Sequence, residues 1–111
     1  MKLTISDSAA TALEKRLNNT TFILALNDGT NQFSTVGGSC AVGDKFQILA
    51  SQGPKDNYNI PLDTPHFHVY ISAGEKDFIN EDITLDYNDR LSTFSLKTNA
   101  GILDNNLLIR P

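Results

Sequence analysis

The chain has 111 residues, of which 40% are hydrophobic and 20% charged, and this composition is typical of one globular domain spanning 1–111. The net charge is −4 and the nine Lys and Arg residues form no basic stripe, which disfavours nucleic-acid binding and attachment to anionic membranes. No apolar run of about 18 residues, no signal-peptide pattern and a single cysteine favour a cytoplasmic protein without a membrane span.

The N-terminal segment predicts a short strand at 3–5 followed by a helix. Ser6 is the expected N-cap, because its hydroxyl can accept a hydrogen bond from an amide two or three residues later. Asn18 and Asn19 are expected to end the helix. An apolar stripe recurs every fourth residue and should pack on a sheet: Ala9, Leu13 and Leu17.

The rest of the chain is dominated by short segments that favour β-structure. Strands are predicted at 20–28, 45–51, 66–72, 83–87 and 93–98, with a hairpin over 101–109 that turns at Asp104–Asn105–Asn106. Loops are expected at 29–44 and 52–65, and a turn or a single helical turn at 73–82. These elements predict an α+β fold in which one N-terminal helix packs on a mixed, largely antiparallel, β-sandwich-like sheet.

Cys40 stands in a glycine-rich stretch, "GGSCAVGDKF". Exposed amides around a thiol would favour the thiolate, the form that binds metal or attacks electrophiles. The alternative is a small buried apolar residue in a loop. One chain cannot supply the cysteines that an iron–sulfur cluster normally needs, but a symmetric dimer could bring two Cys40 thiolates together.

Two histidines, His66 and His68, are the other candidate metal ligands. At positions i and i+2 of a strand they would share a face, and with Cys40 they would make three ligands. The alternative is the solvent face of a half-buried strand.

Acidic residues crowd the segment from 75 to 89, where we expect a solvated rim: Glu75, Asp77, Glu81, Asp82, Asp86 and Asp89. The motifs of hydrolases, nucleotide-binding loops and EF-hands are absent from the sequence. An enzyme with Cys40 as nucleophile and a histidine base ranks last, because no residue that would orient the base can be identified. The chain is therefore predicted not to be an enzyme.

Three stretches resemble the HesB-like, or A-type, iron–sulfur cluster biosynthesis family. They are "MKLTISDSAATALEKRL", similar to the family's opening strand and Ala-rich helix, "GGSCAVGDKFQIL", similar to its Gly-Gly-Cys segment, and "HFHVYISAGEKDFINEDITLDY", similar to a later strand and turn. The resemblance implies one HesB-like domain over 1–111, a β-rich sandwich with a flanking helix. Working members carry a C-terminal Cys-Gly-Cys, whereas this chain ends in "TNAGILDNNLLIRP", so only Cys40 is carried over.

The resemblance also implies a bacterial protein that handles iron or an iron–sulfur cluster and contacts assembly or recipient proteins. The expected site is Cys40, with His66 and His68 as further ligands, shared across a homodimer. The alternative is a binding or regulatory module on the same fold that takes no metal, in which case no cofactor is expected.

Overall fold

The computed structural model describes residues 2–26, 46–79 and 81–111. Within these ranges the chain forms, in order, β1 (Leu3–Ile5), α1 (Asp7–Leu17), β2 (Thr21–Leu26), β3 (Phe46–Ala50), β4 (Ile60–Leu62), β5 (His68–Ile71), α2 (Ala73–Ile79), β6 (Ile83–Asn88), β7 (Thr93–Thr98), β8 (Gly101–Asp104) and β9 (Leu108–Arg110). One sheet has the strand order β1-β6-β7-β8 and the other β4-β5-β2-β3-β9. Both sheets mix parallel and antiparallel pairs, which confirms the predicted α+β class.

Helix α1 begins and ends where the sequence predicts. Ser6 is the N-cap, and its hydroxyl accepts a hydrogen bond from the amide of Ala9 at 3.2 Å. Asn18 ends the helix in the left-handed conformation, with φ of 51°. The apolar stripe is buried as predicted: Ala9, Leu13 and Leu17.

The two sheets enclose one main hydrophobic core and are joined along both sides. On one side the amide of Leu3 in β1 donates to the carbonyl of Asp63, just after β4, at 3.0 Å. On the other, the amide of Leu107 donates to the carbonyl of Phe94 in β7, also at 3.0 Å. The alternation of β-strand side chains fills the space between, where the rings of Phe22 and Phe67 meet edge to face.

Three predicted elements differ from the structure. The predicted loop at 52–65 contains strand β4, and its Pro61 is tolerated because β4 lies at the edge of its sheet. The segment predicted as a turn or a single helical turn contains the seven-residue helix α2, which is about two turns long. The predicted hairpin over 101–109 is wrong, because β8 pairs with β7 in one sheet while β9 pairs with β3 in the other.

Asp86 on β6 makes stability depend on pH. Its carboxylate accepts hydrogen bonds from the Ser6 hydroxyl and the Tyr87 amide, both at 2.8 Å, and Lys97 Nζ lies 3.4 Å away. These contacts, the Ser6 hydroxyl first, lower the pKa of Asp86 below its ordinary value of 3.8. A lowered folded-state pKa contributes stability above the unfolded pKa, and this contribution is lost as the pH falls through the folded pKa.

We therefore expect wild type to exceed Asp86→Asn in free energy of unfolding at pH 7, and the difference to shrink below about pH 4. The effect should be small, because the Asp86 side chain is 41% exposed. Urea denaturation at pH 7 and pH 3 measures it. An equal difference at both pH values would show that the charge of Asp86 is irrelevant to stability.

Candidate functional site

Strands β2 and β3 form an antiparallel pair whose last paired residues are Leu26 and Phe46. The connection between them, 27–45, carries Cys40 and lies outside the described residues. We call the base of this connection the neck. It comprises Leu26, Phe46 and the four buried polar or charged side chains among the described residues: Gln47, Ser72, Glu75 and Asp104.

Each end of the connection has a backbone amide that no neighbouring strand reaches. The ladder between β5 and β2 reaches only Ile23, and β9 begins opposite Gln47, so the amides of Leu26 and Phe46 lie beyond both ladders. Buried amides without a partner are costly, so side chains must replace the missing strands. At the neck, the carboxylates of Glu75 and Asp104 accept these two amides.

Glu75 holds the first end of the connection. It is 2% exposed, and its Oε2 accepts the amide of Leu26 at 3.0 Å. Its Oε1 accepts the amide of Ser72 at 3.0 Å and also the Ser72 hydroxyl. The same hydroxyl accepts the amide of Gly74 at 3.2 Å, so Ser72 and Glu75 cap the start of α2 reciprocally. One oxygen of Glu75 thus accepts hydrogen bonds at the start of its own helix, and the other accepts a hydrogen bond from the last residue of β2.

Asp104 holds the second end in the same manner. It is 3% exposed, and its Oδ2 accepts the amide of Phe46 at 2.9 Å. Its Oδ1 accepts the amide of Asn106 at 3.0 Å, which closes a local turn. One oxygen of Asp104 thus accepts a hydrogen bond from a nearby residue, Asn106, and the other accepts one from Phe46, 58 residues away in sequence.

Gln47 links the two ends to the C-terminal strand. Its side chain is fully buried, and its Nε2 lies 3.5 Å from the carbonyl oxygen of Leu26, at the limit of a hydrogen bond. Its Oε1 accepts a hydrogen bond from Arg110 Nη1 at 3.2 Å. The four residues of the neck with buried polar side chains therefore lie around the two residues that flank the 27–45 connection.

The predicted ligands His66 and His68 lie at the other end of the sheet. His68 is exposed and starts β5 opposite Thr21, about 17 Å along β2 from Leu26 at roughly 3.3 Å per residue. His66 is exposed and precedes the strand with φ of 70°, so the strand alternation that would align it with His68 does not extend to it. Metal ligation by Cys40, His66 and His68 stays a prediction.

The remaining acidic residues agree in part with the predicted solvated rim. Asp77, Asp82 and Asp89 are exposed, whereas Glu75 is buried, so its assignment to the rim is wrong. The reason is that its carboxylate accepts two backbone amides, that of Leu26 and that of Ser72, which precedes α2. Within residues 2–26, 46–79 and 81–111, no group of three or more His, Cys, Asp or Glu side chains could hold a metal ion.

Sequence reasoning missed both neck carboxylates, although each carries a local signal. Ser72-Ala-Gly-Glu75 is a capping-box pattern, which predicts a helix beginning after Ser72. Asp104 is predicted to lie in a turn, whereas in the structure it is the last residue of β8, and the bend that follows it leads to the other sheet. No pattern in the sequence indicates that the second oxygen of either carboxylate reaches a distant amide.

Comparison with known proteins agrees with this architecture. The family model for iron–sulphur cluster biosynthesis matches residues 1–110. A solved structure of a candidate Fe-S biosynthesis protein from Lactobacillus acidophilus is similar with a TM-score of 0.79 and 21% identity, over 99% of this chain and 89% of that one. A second, from Lactobacillus salivarius, has a TM-score of 0.69 and 26% identity, over 99% and 97%.

A search of curated proteins finds no significant match. None of the helices in the described part of the chain is long and apolar enough to cross a membrane. The family match extends over nearly the whole sequence, and both structural neighbours share the fold. The chain therefore belongs to the iron–sulfur cluster biosynthesis family, as its resemblance to HesB-like proteins predicts.

Proposed function

We propose that this protein carries iron or an iron–sulfur cluster as cargo, bound through Cys40, and that a second copy of the chain supplies a second thiolate. Membership of the family supports the cargo. The neck supports the location, because two buried carboxylates, Glu75 and Asp104, accept the amides of the residues that flank the one segment that contains a cysteine. That arrangement is the observation on which the proposal depends.

We propose a dimer because one chain has too few cysteine ligands to hold a cluster. Iron–sulfur clusters are normally held by several thiolates, and one chain has one cysteine. A two-fold dimer places the same surface of both chains together, so two Cys40 thiolates could share one cluster. His66 and His68, at the far end of β2, are supplementary ligands in this proposal. The protein acts as a bacterial, cytoplasmic carrier and not as a catalyst, and its partners are iron–sulfur assembly or recipient proteins.

Anaerobic reconstitution with ferrous iron and sulfide tests the proposal. After desalting, wild type should retain iron and show visible charge-transfer absorption, and Cys40→Ala should retain almost none. A His66→Ala/His68→Ala double variant separates the contribution of the histidines. Wild type without iron, or equal retention by wild type and Cys40→Ala, would refute the cargo role of Cys40.

A regulatory module without metal is the second candidate. The observation that favours it is the C-terminal stretch "TNAGILDNNLLIRP", which contains no cysteine, whereas the resemblance implies a Cys-Gly-Cys there. Affinity capture distinguishes the two. A defined protein partner bound equally by wild type and Cys40→Ala, together with no iron retention, would support the module.

A further inference from the structure

We infer that the groove between α1 and the C-terminal end of β6 binds an extended segment of a partner protein, in which a basic and an acidic side chain stand four residues apart. The groove has a volume of about 530 Å³, and its walls are the exposed side of α1 and the pair Tyr87 and Asp89. Binding clefts usually have volumes of roughly 300–1,000 Å³. This inference goes beyond the proposed function and stands whether or not the protein carries iron.

Two charges of each sign line the groove: Asp7 and Asp89, Lys15 and Arg16. Asp7 lies in the first turn of α1, and Lys15 and Arg16 lie in its last turn. The sign of the charge therefore changes along the helix over about 12 Å, at 1.5 Å per residue. In the part of the chain that the structure describes, none of these four side chains is ion-paired. A ligand with opposite charges at that separation would pair at both ends.

The basic end of the groove is prepared for a carboxylate. Arg16 Nη2 donates to the carbonyl of Ser92 at 3.1 Å, and the guanidinium lies over the ring of Phe94, 5.4 Å from its centroid. A planar guanidinium held in this way loses less freedom on binding and can pair with a carboxylate through two N–H donors. Ala12 lies between the charged ends of α1 and, with Tyr87 on the opposite wall, supplies apolar surface.

The separation of the charges favours an extended segment over a helix. In a strand, side chains at i and i+4 lie on the same side about 13 Å apart, close to the separation in the groove. A helix with charges at this separation would be about 12 Å long and 10 Å wide, a cylinder of roughly 900 Å³ that exceeds the groove. In the extended segment the residue at i+2 faces the same way as the charges, and a small apolar side chain there would pack on Ala12 and Tyr87.

NMR titration of the full chain with a synthetic peptide tests the inference. The probe is GKTATEG, in which Lys and Glu are four residues apart with Ala between them, and GQTATQG is its uncharged control. We expect the amide signals of Thr11, Ala12 and Tyr87 to shift with the probe at about 1 mM, because exposed ion pairs contribute little each. The control should leave these signals unchanged, and high salt should reduce the shifts caused by the probe.

Reversing one end of the groove should change which peptide binds. Lys15→Glu/Arg16→Glu should bind GKTATEG about tenfold more weakly and bind GKTATKG in its place, a switch that loss of folding cannot produce. Lys15→Gln is a milder variant in which only the weakening is expected. Lys76→Gln is the control, because Lys76 is exposed on α2 and does not line the groove. It should bind GKTATEG as wild type does.

Three results would overturn the inference. The first is an absence of shifts at the groove with GKTATEG, or equal shifts with GQTATQG. The second is an absence of the switch to GKTATKG in the charge-reversed variant. The third is a shift of the same amides that grows with protein concentration and needs no peptide, which would identify a second copy of the chain as the occupant.

Discussion

Replacing Glu75 by alanine should cost about 3 kcal/mol of unfolding free energy or more, because three donors lose their acceptor: the buried amide and hydroxyl of Ser72 and the part-buried amide of Leu26. Since total stability is about 5–15 kcal/mol, this is a large fraction, and Tm should fall by roughly 10 °C. Denaturant titration and thermal unfolding measure both quantities.

Glu81→Ala is the control for this substitution. Glu81 also accepts a backbone amide, that of Asn99 at 3.1 Å, but the contact is exposed. Water can replace the lost acceptor there, so we expect a change within about 0.5 kcal/mol. If Glu75→Ala proved as mild as Glu81→Ala, the neck would not be the tightly satisfied network that its hydrogen bonds indicate.

Replacing Phe46 by alanine should cost about 3–5 kcal/mol, the usual range for a buried phenylalanine. Phe46 is fully buried, and its ring meets that of Phe78 on α2 edge to face at 5.8 Å between centroids. The same residue donates its amide to Asp104, so the truncation removes core packing from the second end of the connection.

Phe78, whose ring contacts that of Phe46, provides the control for this substitution. Phe78 is 56% exposed, so Phe78→Ala should cost less than about 1 kcal/mol although it removes the same ring contact. Chemical denaturation of the two variants measures the difference. Equal losses would mean that the ring contact, and not burial in the core, determines the stability contributed by Phe46.

Local patterns predict the elements well where propensity, capping and burial agree. Helix α1 is defined by its N-cap Ser6, by the apolar residues at every fourth position and by Asn18 at its C-terminus. Strands β6 and β7 are defined by the alternation of apolar and polar residues at 83–87 and 93–98. The sequence does not predict strand β4, because prolines at 54, 61 and 65 favour a loop. Its identity as an edge strand depends on pairing with β5, which is not a local property.

The candidate site was less predictable because it depends on long-range pairing. Glu75 and Leu26 are 49 residues apart, and Asp104 and Phe46 are 58 apart. A buried carboxylate that replaces a missing strand partner looks, in sequence, like any surface acid. His68 is exposed, as the solvent-face alternative expects, but the distance between the histidines and the neck follows only from the parallel register of β5 on β2.

Native mass spectrometry of the anaerobically reconstituted protein tests the central claim most directly. We predict that cluster and dimer occur together: a species of two chains with one cluster, converted to metal-free chains by a chelator and absent from Cys40→Ala. A cluster bound to a single chain, or the same loaded dimer formed by Cys40→Ala, would contradict the claim that two Cys40 thiolates share the cargo.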